Sequence, residues 1–377
     1  EAARSLGAGR LRTALTITLP LVTPAVLSGM VLCVLDALAA FGAPAVLGFN
    51  ANFDVLTTEI YDLVLHPPRF ELAAAAAVPI VFFTAACLVV QRLWLGNRRF
   101  NTLSGKIGNA QAVDLGPWRY VAFAVCFAVI FFSVLLPMGG LVILSMLKVF
   151  GAKITLANMT LNNYEIFFDD SFIVLSSVKN SFTLSLSAAT LCILLGIVYV
   201  WIVERTQLFG RGAITFIIMI TFGFPAVAMG VGVLIGYIHW FYGTLWILFI
   251  AYMSKMIPFA YIFLRTAIKQ ISEELEEAAR ICGASWMRMV ADVTVPLMKT
   301  GMWVGWVLVF SISLRELAMS ILLAQAGNET MAVAVFNFLA DGAVEYAAAI
   351  SVIIALISIV AVVLARAISG KGALEVD

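Results

Sequence analysis

The segment Glu1-Ala2-Ala3-Arg4-Ser5-Leu6-Gly7-Ala8, which runs on to Thr18-Leu19-Pro20-Leu21, occurs a second time. It returns as Glu277-Ala278-Ala279-Arg280-Ile281-Cys282-Gly283-Ala284 and ends Thr294-Val295-Pro296-Leu297. The offset is 276 positions throughout, with no gap. Both copies are polar islands between long apolar runs. A chain that uses one loop twice must build two related halves around it, which narrows the folds open to it. At the same offset Gly29 matches Gly305 and Leu38 matches Leu314. Further on, Glu71-Leu72-Ala73-Ala74-Ala75 matches Glu345-Tyr346-Ala347-Ala348-Ala349 at an offset of 274, so two small deletions separate the copies.

The apolar runs define the environment. The chain is 63% hydrophobic and 12% charged, with mean hydropathy +1.04, where a soluble domain carries about 25% charged residues. A bilayer-spanning helix needs about 20 mostly apolar residues. Eight runs qualify, at 21–41, 71–94, 120–147, 181–203, 213–238, 241–264, 297–323 and 345–366. The expected fold class is an all-α polytopic membrane protein of about eight spans. A net charge of +1 gives no reason to invoke nucleic acid. The five cysteines are scattered, no pair has metal-ligand spacing, and no metal site is expected.

Basic residues set the orientation, because cytoplasmic loops collect Lys and Arg. With both copies of the loop in the cytoplasm, 17 of the 23 basic residues fall inside, Arg69, Lys148, Lys153 and Lys179 fall outside, and Lys255 and Arg315 fall within spans. Six spans separate the copies. Six is even, so both copies face the same side and the repeat is parallel, unlike the inverted repeats of many secondary transporters. The sequence divides into residues 1–94, the repeated loop plus two spans of a first half; a cytoplasmic linker, 95–119; and a second half, 120–377, with six spans and its loop at 272–296. The chain has no initiator Met and no signal peptide, and its first residue already lies inside the repeat. The expectation is a truncated chain in which about four spans precede Glu1.

In the second copy, Ser272 is placed to cap a short helix whose first turn is acidic, which suits the positive end of the helix dipole. Ala278 and Ala279 keep one face slim, Gly283 permits a sharp turn, and Pro296 marks the start of the next span. Two short helices joined at a glycine form a surface element that fits a groove on a partner. Glu-Ala-Ala, three residues, Gly and a later Leu-Pro or Val-Pro resemble the signature loop of permease subunits of type I ABC importers. Leu19-Pro20 fits that pattern, and Val295-Pro296 departs from it mildly.

The resemblance covers residues 1–90 and about 180–368. It implies the type I importer transmembrane fold with parallel duplicated halves. It also implies that Glu1, Ala2, Ala3 and Gly7, with Glu277, Ala278, Ala279 and Gly283, dock into ATPase subunits. The implied partners are two copies of an ABC ATPase subunit, a periplasmic substrate-binding protein and membrane lipid. Two motif copies on one chain resemble the fused permeases of ferric-iron importers and also those for thiamine. Asn180-Ser181-Phe182, Arg315-Glu316-Leu317 and Thr102-Leu103-Ser104-Gly105-Lys106 lean towards iron. The implied location is the bacterial inner membrane, with the loops and C-terminus cytoplasmic.

The chain has no Gly-x-x-x-x-Gly-Lys-Ser/Thr phosphate loop, so ATP and Mg are expected on a separate subunit, and this chain is expected to bind no cofactor and to be no enzyme. No Ser/His/Asp, His-Glu-x-x-His or paired-carboxylate arrangement marks an intramembrane hydrolase. Thiamine, polyamine or another small solute remains an alternative cargo, and an ion-coupled secondary transporter a further class. Charges within spans usually face a bundle interior or wet cavity. Arg315 and Glu316, with Asn180, are therefore candidates for the translocation path. Adjacent residues on a helix point about 100° apart, so Arg315 and Glu316 need not pair with each other. The first half has Ala39 and Ala40 at the same positions. The competing reading is an ion pair with another span or a helix end reaching water, and it applies more strongly to Asp36 and Lys255. Gly223-Phe224-Pro225 and Gly230-Val231-Gly232 mark a kink or a close helix contact, with packing the default.

Overall fold

The computed structural model describes residues 9–48, 53–95, 116–168 and 173–369, with Gly7 and Ala51. Residues 96–115 of the expected linker at 95–119, and Glu1, Ala2 and Ala3, lie outside them. The described chain is helical, with a single isolated bridge between Leu147 and Met159. In a bilayer, helices satisfy their backbone groups internally, and large apolar side chains such as Phe82, Leu93 and Phe123 are left exposed on the outer faces.

The first part contains α1 (Arg10–Thr13), α2 (Leu19–Ala39), α3 (Gly42–Gly48), α4 (Leu56–Leu65) and α5 (Phe70–Leu95). The second begins with α6 (Trp118–Ile130) and α7 (Leu136–Ser145), followed by α8 (Val174–Arg205), α9 (Arg211–Gly223), α10 (Ala226–Phe241) and α11 (Leu245–Lys269). It continues through α12 (Glu273–Ile281), α13 (Trp286–Met289), α14 (Val295–Leu314), α15 (Ser320–Leu323), α16 (Met331–Ala340) and α17 (Val344–Ser369). Among the described residues, six helical stretches are long and apolar enough to cross a membrane, or eight if α2 with α3 and α9 with α10 each count as one bent span.

The duplication extends to backbone geometry. Helices α1 and α13 are offset by 276 residues, as are the π-helical turns Ala14–Thr18 and Val290–Thr294 that follow them. Gly7 and Gly283 both have left-handed φ, 80° and 85°. Helices α4 and α16 are ten residues each at an offset of 275, and α5 and α17 start 274 apart. Each π turn precedes a proline: Pro20, Pro296, and Pro137 after the third turn at Phe131–Leu135. A proline ring clashes with the carbonyl four residues earlier. That carbonyl lies inside the π turn in all three cases, and the wider turn removes the clash without breaking the helix.

Two expected spans are corrected. The run at 213–238 is broken at Phe224-Pro225, where α9 and α10 meet at a bend of 112°. The extended backbone of Phe224 and Pro225 ends one helix and starts the other. Further along, Gly230 packs close, since a methyl there would lie 3.1 Å from Leu322 and 3.3 Å from the Met319 backbone. The pair of glycine-containing motifs thus supplies both a kink and a contact. The run at 297–323 ends as helix at Leu314, whereas the run at 21–41 is helix over Leu19–Ala39. Two segments read as outside loops contain the equivalent short helices α4 and α16.

The ends of the helices fix the path. Arg205 at the end of α8 donates to the carbonyls of Ile268 and Ile271 at the end of α11. Helices α8 and α11 therefore finish on the same face, and α9 with α10 together make one return crossing. Asn180, near the start of α8, donates to the carbonyls of Gly327 and Glu329, so the loop before α16 lies on the opposite, far face. Helices α8, α11 and α14 pack as a tight trio. A methyl at Gly196 would press on Leu264, one at Gly305 on Phe263 and Ile193, and one at Gly301 would collide with the Ala267 methyl. Small residues of this kind let membrane helices approach closely.

Gly301→Leu should force α11 and α14 apart and lower the melting temperature of the detergent-purified protein, since overpacking costs about 1–3 kcal/mol. Gly301→Ala should produce a smaller drop. Unchanged melting for the leucine variant would mean that these two helices separate freely.

Candidate functional site

The second copy of the repeated loop is built as two capped helices. The Ser272 hydroxyl accepts from the Glu274 N–H at 3.3 Å and starts α12. Glu273, Glu274 and Glu276 fill its first turn, where negative charge is favoured. The helix ends in a Schellman arrangement: the Gly283 N–H donates to Arg280, and the Ala284 N–H to Ala279. This closure needs a left-handed residue at the turn, the conformation of Gly283. The Ser285 hydroxyl then accepts from the Arg288 N–H and starts α13.

Arg205 joins this loop to the spans. Its guanidinium is buried and lies 3.2 Å from a carboxylate oxygen of Glu273 and 3.2 Å from one of Glu276. The other Glu276 oxygen accepts from the Thr294 hydroxyl at 3.0 Å. One carboxylate thus connects α8, α12 and the π turn leading into α14. Beside it, Glu204 pairs with Arg265 at 2.6 Å and Lys269 at 3.6 Å, and Trp201 meets Trp286 edge to face at 5.0 Å.

Glu276 is only 7% exposed, whereas Glu277 and Ala278 are exposed and Ala279 is half-buried. Ile281 is 86% and Met287 73% exposed. The loop therefore has an anchored face, Glu276 and Met289, and a free face combining carboxylates with large apolar side chains. Arg205, Glu276 and Thr294 were not among the residues singled out from sequence. A signal existed for Thr294, which recurs with Thr18 inside the repeat.

A second feature lies between the two parts of the chain. A cavity of about 770 Å³ is lined from α2 and its end by Asp36, Ala39, Ala40 and Phe41, from the α9–α10 bend by Phe222, Gly223 and Phe224, and from α11 by Lys255 and Phe259. Ile312, Arg315, Glu316, Leu317 and Ala318 also line it. Positions 36, 39, 40, 41 and 42 and their equivalents 312, 315, 316, 317 and 318 all line this one space. The structure brings Arg315 and Glu316 to the cavity together with Asp36 and Lys255, which sequence had ranked lower.

Arg315 and Glu316 are not on a helix. Helix α14 ends before them, and the Glu316 carboxylate turns back to accept from the Met319 N–H at 3.2 Å. The Lys255 ammonium donates to the Phe224 carbonyl, a group freed by the helix break. Asn180 lies apart from this cavity: its amide NH2 donates to the Gly327 and Glu329 carbonyls, which holds the loop before α16 in place.

Residues 205–371 match the family of binding-protein-dependent transport system inner membrane components. The second half of the chain is thus similar to that family. The chain also resembles ferric-iron permeases. It is 27% identical over 360 residues to the ferric transport system permease protein FbpB of Actinobacillus pleuropneumoniae, covering 93% of this chain and 51% of that protein. It is 23% identical over 357 residues to the Fe(3+)-transport system permease protein FbpB 2 of Haemophilus influenzae, covering 93% of this chain and 66% of that one. The chain thus spans about half to two thirds of the length of these curated relatives. The crystal structure of a bacterial ABC transporter involved in alginate import contains a chain with the same fold, at TM-score 0.55 and 19% identity, over 67% of this chain and 94% of that one.

Replacing Glu276 with Ala should lower stability by about 1–3 kcal/mol, because it removes the buried carboxylate that balances the Arg205 charge and accepts from the Thr294 hydroxyl. Glu277→Ala, on the exposed face, should stay within about 0.5 kcal/mol of wild type. Melting curves of the two variants in the same detergent test this, and equal melting temperatures would mean that Glu276 is not an anchor.

Proposed function

We propose that this chain is the permease subunit of an ATP-driven importer that carries ferric iron delivered by a periplasmic binding protein. The observation that carries this reading is the loop at 272–296, with one face pinned to three spans and the other presenting Glu277, Ala278, Ile281 and Met287. A rigid element with an exposed, mixed acidic and apolar face is what a permease needs in order to take up movement from an ATPase. The equivalent loop at Glu1, Ala2, Ala3 and Gly7 would engage a second copy of the ATPase. In this reading ATP and Mg act on that separate subunit, both loops and the C-terminus face the cytoplasm, and the apolar outer faces contact inner-membrane lipid.

ATP binding closes the two ATPase subunits and draws the loops together. Because Arg205 and Glu276 tie α12 to α8, α11 and α14, the spans follow, and the central cavity changes the side to which it opens. Cargo passes Asp36 and Glu316, set against Lys255 and Arg315. Charges of both signs suit brief contact with a hard cation and its oxygen ligands, which leaves tight recognition to the binding protein. The named ferric permeases among its relatives favour iron over thiamine or a polyamine.

The test is radiolabelled ferric-iron uptake by iron-starved cells carrying the full-length gene, a deletion, or Glu277→Ala at matched membrane abundance. Uptake should need the gene and fall at least several-fold with Glu277→Ala, alongside reduced co-purification of the ATPase. Uptake that is indifferent to the gene, with the ATPase still bound, would remove iron as the cargo. Full uptake after changing both Glu1 and Glu277 would remove the coupling role.

A further inference from the structure

Helix α14 leaves the repeated loop, and α17 returns towards the same side from α16, so the two run antiparallel. A groove of about 480 Å³ lies along their contact, walled by Val304 and Leu308 from α14 and by Ile359, Val362 and Val363 from α17. The last three are 53% to 59% exposed, so the groove opens outward, towards the lipid. Its lining is aliphatic apart from two small serines, Ser311 and Ser358, and the Ser358 hydroxyl donates to the Ile354 carbonyl of its own helix. An arginine stands at each end: Arg366 on the loop side, Arg315 at the other. Neither guanidinium has a hydrogen-bond or ion-pair partner among the described residues.

The depth of the groove follows from helix geometry. Glu345 lies in the first turn of α17 and Arg366 in its last. At 1.5 Å of rise per residue they are about 32 Å apart, close to the hydrocarbon thickness of about 30 Å. Glu345 thus marks the far surface of the bilayer and Arg366 the surface on the loop side. Val304 is the residue of the α14 wall nearest the loop, and Arg315 lies about 16 Å further along. That is about half the hydrocarbon thickness, so the groove runs from one membrane surface to the bilayer middle, the depth of a single leaflet.

Depth and charge together select the occupant. A spanning helix crosses both leaflets and brings no anion to Arg366. A phospholipid has a phosphate at the surface and a chain that ends near the middle. Guanidinium groups hold phosphate oxygens through paired N–H donors, and basic pockets between spanning helices take anionic head groups. Ile312 and Arg315, at the deep end, also line the central cavity. A chain lying in the groove therefore touches the helix that runs from the repeated loop to the cavity.

We propose that the groove between α14 and α17 binds one anionic phospholipid of the loop-side leaflet, with its phosphate on Arg366 and one acyl chain lying between the two helices. The site depends on the spanning helices and not on the cargo.

The test uses the full-length protein in nanodiscs that contain phosphatidylglycerol or phosphatidylcholine with a diazirine near the middle of the acyl chain. After irradiation, labelled peptides are mapped by mass spectrometry. Labelling around Leu308 and Ile359 should be at least several-fold higher with phosphatidylglycerol. Arg366→Gln should remove that excess. Arg366 is exposed, so this variant keeps the fold. Leu308→Trp, which fills the groove and leaves Arg366 in place, should lower labelling around Ile359 several-fold for both lipids. Equal labelling by the two lipids in the wild type, or an excess that survives Arg366→Gln, would overturn the site. An unlabelled groove would overturn it too, and would mean that protein covers this face.

Discussion

The buried guanidinium of Arg205 is the interaction on which the rest of this architecture depends. A polar loop on a membrane protein has few polar groups in the spans to hold it, and without anchorage it would move independently of them. Arg205 reaches the end of α11 through two carbonyls and α12 through two carboxylates. Glu276 extends the connection to Thr294 at the foot of α14. Burying a lone arginine would be costly, and here its charge is matched on several sides. The three spans it connects are the trio packed through Gly196, Gly301 and Gly305, so a displacement of the loop is passed to a rigid group of helices.

Much of this was legible because the sequence repeats itself. A shared Gly7 and Gly283 implied a shared turn, and both have the left-handed backbone that turn requires. Shared prolines at 20 and 296 implied equivalent helix starts, and both are preceded by the same π-helical turn. The apolar runs located the long helices because twenty apolar residues in a row have few other uses.

What could not be read was set by contacts over long sequence distances. Helices α4 and α16 are too short to register as spans, and their apolar faces resemble loop residues until the partner helices are in place. The end of α14 at Leu314 has no glycine or proline to mark it. The first copy does carry such marks, Gly42 and Pro44, and transferring them by 276 positions points to residues 318 and 320, beside the true break. The loop contact of Asn180 could not be read, because its two carbonyl partners lie 147 and 149 residues away.

The two halves have diverged where their tasks differ. Around the cavity the charges are unequal: the first part contributes Asp36, with Ala39 and Ala40 following, while the second contributes Lys255, Arg315 and Glu316. The charged side chains of the cavity thus lie mostly on the side of the second part. The ring contact between Tyr61 and its own counterpart Phe336 keeps the symmetry instead. Duplication supplied matching positions for both, and the cavity-lining positions are the ones that became different.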